Sequence, residues 1–142
     1  MHKWMLLAVF ALPLTAQATP LDPGNWEFTV DMKAKGLGAF QPKPGPVTKT
    51  RCVGPEEAKN PAKVLSDAAA RGECEFSDEK DTGREFSFNV RCTGRVPVQG
   101  SAKMQYTPQS IDGDIHLDGD AQGMQFSTQS HVTARRVGAC TS

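Results

Sequence analysis

The segment ECEFSDEKDTGREFSFNVRC, residues 73–92, decides the fold that this chain is predicted to adopt. Two runs that alternate apolar and polar residues flank the turn signal at residues 82–84, which is typical of a β-hairpin. If those three residues form the loop, Cys74 lies directly opposite Cys92, close enough for a disulfide. A two-residue loop would shift the register by one residue and move the two cysteines apart.

Alternating segments on both sides of this hairpin predict further strands. They are separated by Gly, Pro, Asn or Asp residues, which favour turns. With the hairpin they make seven strands, which favours an antiparallel arrangement. The five additional segments are NWEFTVDM (25–32), VTKTRCV (47–53), VQGSAKMQY (98–106), SIDGDIHLDGD (110–120) and MQFSTQSHVTARRVG (124–138).

Helical signals occur between the second and third strands. Pro55 suits a first helical position, and Glu56 and Glu57 follow it in the first turn, where the helix dipole favours acidic residues. Pro61, preceded by an asparagine, indicates a restart, and Gly72 indicates the end. The predicted fold is therefore all-β and mainly antiparallel, a curved seven-stranded meander or a partly closed barrel, with one short helix after strand 2 and two disulfides.

The amino terminus predicts export. Residues 1–18 combine a basic start, an apolar run too short to span a bilayer, and the Ala-Gln-Ala pattern of a signal-peptide cleavage site. Residues 19–142 are then expected to form a single β-rich domain in the periplasm or outside the cell. We expect no membrane insertion after cleavage, because no second long apolar run follows. Equal numbers of basic and acidic residues, 16 of each, give no net attraction to nucleic acid.

The four cysteines are Cys52, Cys74, Cys92 and Cys140. An even number in an exported chain predicts two disulfides, and four cysteines allow three different pairings. The pattern of cysteines alone does not choose among them. The hairpin register favours Cys74 with Cys92, which leaves Cys52 to pair with Cys140.

An ordered set of short motifs resembles a known family. The motifs are PGNWEFTV (23–30), RCVGPEEA (51–58), RCTG (91–94) and RRVGAC (135–140). In this order they resemble a bacterial exported family, domain of unknown function 3617 (DUF3617). The resemblance implies a small periplasmic β-rich domain with this cysteine framework. It implies no established activity, so no catalytic residue carries over. Family members often alternate Thr and Met in the penultimate strand, where this chain has Asp and His.

The segment SIDGDIHLDGD presents four aspartates and a histidine at every second position, from Asp112 to Asp120. A calcium loop beginning at Asp118 would need a bidentate acid at its twelfth position, where Gln129 stands. Side chains two residues apart in a strand lie about 6–7 Å apart, too far to converge on one ion. We therefore predict a solvated strand face and neither a metal site nor a cofactor.

Catalytic motifs are missing from the sequence. It contains no Gly-x-Ser-x-Gly and no Cys-x-x-Cys, and it has only three histidines. No catalytic residue is predicted, and the protein is expected not to be an enzyme. A hydrolase of envelope polymers is the weakest alternative. It is retained because paired carboxylates, the catalytic groups of glycosidases, are plentiful in the sequence.

The Gly/Pro-rich stretch 34–46 is long for a hairpin connection, and such loops often bind ligands. Leu37 and Phe40 are the apolar residues in it, while Trp26 lies on the apolar face of the first strand. Core packing is the favoured interpretation for all three, and ligand contact is the alternative. The leading hypothesis is a non-enzymatic binding or accessory protein that holds a small apolar ligand, or an envelope protein, under this loop. A structural or protein-interaction module without a ligand is the second hypothesis.

Overall fold

The computed structural model describes residues 20–41, 43–69 and 73–141, so the predicted signal peptide, residues 1–18, lies outside the described part. Seven antiparallel strands form one sheet in the order β2-β1-β7-β6-β5-β4-β3. The elements are β1 (Gly24–Lys35), a 3₁₀ turn (Gly38–Phe40), β2 (Val47–Val53), α1 (Pro55–Ala58), α2 (Pro61–Ala69), β3 (Glu73–Asp81), β4 (Glu85–Thr93), β5 (Val98–Thr107), β6 (Ser110–Ala121) and β7 (Met124–Gly138).

The seven-stranded antiparallel sheet is confirmed, but the barrel alternative is wrong because the sheet does not close. Its two edges are β2 and β3. The segment that connects β2 to β3 forms α1 and α2, which pack on one face of the sheet. β2 and β3 do not pair with each other. The single predicted helix is therefore two helices. Asn60 separates them, and its side-chain Oδ1 accepts a hydrogen bond from the Lys63 N–H at 3.2 Å, which caps α2.

The predicted pairing of Cys74 with Cys92 is confirmed. The strand register differs by one residue from the predicted one next to the turn, and a bulge in β3 then shifts it back by one residue. Next to the turn, Asp81 pairs with Phe86, one position away from the simple three-residue-loop register. Farther along β3 a bulge shifts the register, and Asp78 there has a left-handed φ of 51°. Beyond the bulge the two cysteines face each other and form the disulfide.

The second disulfide, Cys52–Cys140, joins two segments that are 88 residues apart in the sequence. Cys52 on β2 lies opposite Asn25 of β1, and Asn25 lies opposite Gly138 at the end of β7. The disulfide therefore fastens the edge strand β2 across β1 to the carboxyl-terminal segment.

The hydrophobic core lies between the helices and one side of the sheet, called here the core face. Ala58 of α1 and Val64 and Leu65 of α2 supply its helical side. Alternation along each strand places the apolar residues on this face and the polar residues on the other, called here the polar face. The strand residues of the core are Trp26, Phe28, Val53, Phe86, Phe88, Ala102, Met104, Tyr106, Ile111, Val132 and Ala134.

Arg51 holds the helices to the edge of the sheet. Its Nη1 donates to the Glu57 carboxylate at 2.7 Å, and its Nη2 donates to the Val64 carbonyl at 3.1 Å. The guanidinium also lies 5.7 Å from the centroid of the Phe28 ring, a cation–π arrangement. One side chain of β2 thus contacts α1, α2 and β1, which fixes the helices over this half of the core face.

Tyr106 of β5 makes a partly buried hydrogen bond to Asp81 of β3 at the margin of the core. Its hydroxyl donates to Asp81 Oδ1 at 2.6 Å, and its ring lies 5.6 Å from that of Phe86. Burial, followed by the hydrogen bond and the negative charge of Asp81, raises the pKa of Tyr106 to about 12.

We predict that this single tyrosine ionises near pH 12 in the folded protein and near pH 10 in the unfolded chain. Because the folded pKa is the higher one, the stabilisation is complete below pH 10 and is lost as the pH rises through 12. Phenolate absorbance, followed during a rapid alkaline titration, measures the midpoint. Asp81→Asn should lower the pH at which Tyr106 is half ionised. If that pH were the same in the folded wild-type protein and in the unfolded chain, the hydrogen bond to Asp81 would be contradicted.

Candidate functional site

The helices cover only part of the core face and leave an apolar surface at its far end. Val90, Val98, Ile115, Leu117 and Phe126 make up this surface, which we call the apolar platform. They are half-buried and come from β4, β5, β6 and β7. Val90 and Ile115 pack against the margin of the core, whereas the other three lie outside the buried cluster.

Two glycines give the platform its shape. A Cβ on Gly100 would collide with the backbone of β6 at His116 and Leu117, so β5 and β6 approach more closely there than a side chain allows. A Cβ on Gly119 would take the place of the Phe126 ring, which therefore lies directly over that glycine. No side chain therefore stands between Val90 and Leu117 or between Val98 and Phe126.

The loop predicted at 34–46 begins two residues later than expected, because β1 continues through Lys35. Gly36 packs against the backbone of Gln125 and Phe126, with no room for a Cβ, so the loop starts beside the platform. Leu37 is half-buried, while the side chain of Phe40 lies outside the described part.

Trp26 is not brought to this surface. Its side chain is 0% exposed, and its Nε1 donates to the Asp22 carbonyl at 2.9 Å. The indole is completely enclosed by the core, so it presents no surface to a ligand. Of the three residues considered for ligand contact, Leu37 is the one whose side chain is described and partly exposed; it follows Gly36, which packs beside Phe126.

The polar face carries the Asp/His segment, whose acidic side chains are exposed to solvent as the alternation predicts. His131 of β7 lies between two of them, with Nδ1 at 3.0 Å from Asp114 and Nε2 at 3.5 Å from Asp112. The hydrogen bond to Asp114 raises the pKa of His131, as do the charges of both carboxylates. Within the described residues, no group of three or more His, Cys, Asp or Glu could hold a metal ion.

The polar face also contains a depression that the sequence did not suggest, called here the polar groove. It is open, has a volume of about 870 Å³, and runs from the bulged edge strand β3 to β6. A second open depression of about 800 Å³ shares Arg91, Gln99 and Asp118 with it and extends to β1. Side chains lining the groove include Ser77, Asn89, Arg91, Gln99, His116 and Asp118.

No sequence pattern could have located this groove, because its members are neighbours only through strand pairing. Arg91 lies opposite Gln99, and Gln99 lies opposite Asp118. They are distant in sequence and have ordinary surface composition. Beside the groove, Asp78 lies at the bulge in β3, and its side chain accepts a hydrogen bond from Asn89 Nδ2 at 2.8 Å across that bulge.

The family described as Protein of unknown function (DUF3617) matches residues 21–140, which confirms the resemblance seen in the sequence motifs. No curated protein and no solved structure matches the chain. Among the described residues, none of the helices has the length and apolar character needed to cross a membrane.

Proposed function

We propose that this chain, which belongs to the DUF3617 family, is a non-enzymatic binding protein that holds an apolar ligand against the apolar platform. The supporting observation is that Val98, Leu117 and Phe126 lie together on the core face but outside the core that the helices close. Contiguous apolar surface of this kind is uncommon on a soluble domain unless it binds something.

The platform suits an elongated apolar group such as an acyl chain. Its members come from four consecutive strands, and adjacent strands lie about 4.8 Å apart, so the apolar strip runs across the sheet. Met32 of β1 and Met124 of β7, which are 41% and 45% exposed, lie on the same face. Methionine side chains adapt to differently shaped apolar groups. The loop that begins at Gly36 starts beside Phe126 of the strip, and Leu37 is the next residue of this loop.

We place this activity outside the cytoplasm. The two disulfides are typical of an oxidising compartment. Together with the signal peptide predicted at residues 1–18, they support the periplasm as the location of the protein.

A fluorescent fatty acid titrated into the purified protein tests the proposal. Leu117→Glu places a charge in the centre of the platform, and we expect it to weaken binding at least tenfold because the carboxylate must be desolvated. Gln129→Glu is the matched control, since it adds the same charge on the opposite face of the neighbouring strand. Thermal unfolding of both variants shows whether either change disturbs the fold.

Absence of saturable fatty-acid binding to the wild-type protein would rule out this form of the proposal. Equal affinity of the wild type and Leu117→Glu would place the ligand elsewhere.

The second candidate is an interaction module that uses the open edge of the sheet. β2 pairs with β1 on one side only, and its seven residues keep a regular register without a bulge. Such an edge can accept a strand from another chain. Leu117 is on β6, three strands away from β2 along the sheet order, so Leu117→Glu should leave an edge-mediated interaction unchanged and separates the two candidates.

A further inference from the structure

We propose that the polar groove is a second binding site, for a neutral oligosaccharide that lies across the strands. Most of its lining side chains lie on the polar face of the sheet, although Val90 of the apolar platform also lines it, and Val98 and Phe126 line the adjoining depression. The proposal does not rest on the function proposed above. The inference rests on the shape of the groove, the chemistry of its side chains and their spacing.

The polar groove is extended by the second depression, which adjoins it. The two depressions, of about 870 and 800 Å³, share three side chains: Arg91, Gln99 and Asp118. Strand register places these three directly beside one another on β4, β5 and β6, and continues the row to Ser127 and Lys35. Together with Glu75 on β3, the row crosses six adjacent strands.

The side chains of the groove match the hydrogen-bonding needs of hydroxyl groups, which both donate and accept. Arg91 is a pure donor, and its side chain has no hydrogen bond or ion pair with any residue in the described part of the chain. Gln99 offers both a donor and an acceptor. Asp118 is an acceptor that is already held by His116, with Nε2 and Oδ2 3.1 Å apart. This mixture suits neighbouring hydroxyl pairs better than it suits a single charged group.

The charge of the row argues for a neutral ligand. The cations Arg91 and Lys35 are offset by the carboxylates of Glu75 and Asp118 in the same row, and Asp120 adds a third carboxylate beside it. An anion would approach two carboxylates, and a cation would approach two basic groups. A polyhydroxyl chain avoids both penalties.

The spacing of the row favours an extended chain of sugars. Adjacent strands are about 4.8 Å apart, so six strands cover about 24 Å. The strand spacing is close to the repeat of a pyranose unit in a β-linked chain. A linear oligosaccharide crossing the strands can therefore meet one polar side chain for each sugar. Because the binding relies on hydrogen bonds to exposed side chains, we expect an affinity in the millimolar range.

The test is a titration of isotopically labelled protein with chitohexaose and, separately, with cellohexaose. Side-chain amide signals of Asn89 and Gln99 report on the groove in NMR spectra. We expect at least one of the two sugars to shift both signals in a saturable way. Gln99→Ala should weaken binding at least tenfold. Gln105→Ala is the control, because this exposed glutamine is on the same face of the same strand but outside the groove.

Three results would overturn the proposal. The first is that neither sugar shifts the amide signals of the groove. The second is that Gln99→Ala binds as tightly as Gln105→Ala. The third is that an acidic hexasaccharide, oligogalacturonate, binds in the groove and both neutral sugars do not, which would replace the neutral ligand by an anionic one.

Discussion

Replacing Cys52 and Cys140 by serine lowers the free energy of unfolding by about 4–5 kcal/mol in the chain-entropy treatment of disulfides. The physical reason is that this disulfide closes a loop of 88 residues and so removes much of the freedom of the unfolded chain. The same change also frees the edge strand β2 from the carboxyl-terminal segment. Urea unfolding of the double variant and of the wild type, under non-reducing conditions, measures the difference.

The matched comparison is the double replacement of Cys74 and Cys92 by serine. That disulfide joins residues 18 apart, and its loss is expected to cost about 3 kcal/mol. The longer loop should therefore be the more costly one to open. If the two double variants were equally stable, loop length would not determine the contribution of these disulfides.

Trp26→Ala is the point substitution with the largest expected effect, a loss of about 3–5 kcal/mol in the free energy of unfolding. The indole is fully buried, so its removal leaves a cavity where β1 meets the helices. It also leaves the Asp22 carbonyl without the Nε1 donor. Chemical denaturation followed by far-ultraviolet circular dichroism measures the loss.

Met32→Ala on the same strand and the same face is the control for this substitution. Met32 is 41% exposed, so we expect a loss of about 0.5 kcal/mol or less. A large loss for Met32→Ala would show that the far end of the core face is packed against something that the core cluster does not include. A small loss for Trp26→Ala would mean that the core collapses into the cavity.

Strand number and antiparallel pairing could be predicted because each rests on local alternation or on a turn, whereas the cysteine partners were predicted from one assumed hairpin register and by elimination. The hairpin shows the limit of that reasoning. Its turn alone would have placed Cys74 out of line with Cys92, and the bulge at Asp78 restored the pairing. A bulge of this kind depends on contacts across strands, such as the hydrogen bond from Asn89, and local sequence does not encode them clearly.

Closure of the sheet was harder to foresee. A barrel and an open sheet share the same strand pattern and differ only in whether β2 reaches β3. The interactions that hold the helices beside β2, the contacts of Arg51 with the Glu57 carboxylate and the Val64 carbonyl, join groups whose proximity no periodicity reveals. The same holds for the two candidate sites. Leu37 was identified as an apolar residue in a polar loop, whereas the platform and the polar groove exist only through strand register.

The position of β1 has a consequence for the order in which the chain assembles. The strands from β3 to β7 pair with their neighbours in sequence, so they can form by local contacts as each follows the last. β1 pairs with β7, which ends more than a hundred residues later, and the Cys52–Cys140 disulfide has the same requirement. A chain delivered from its amino terminus can pair β1 with β2 early, but the other edge of β1 must stay unpaired until the last strand arrives. Such distant pairing slows folding, and during that interval the Trp26 face of β1 would be open to a chaperone.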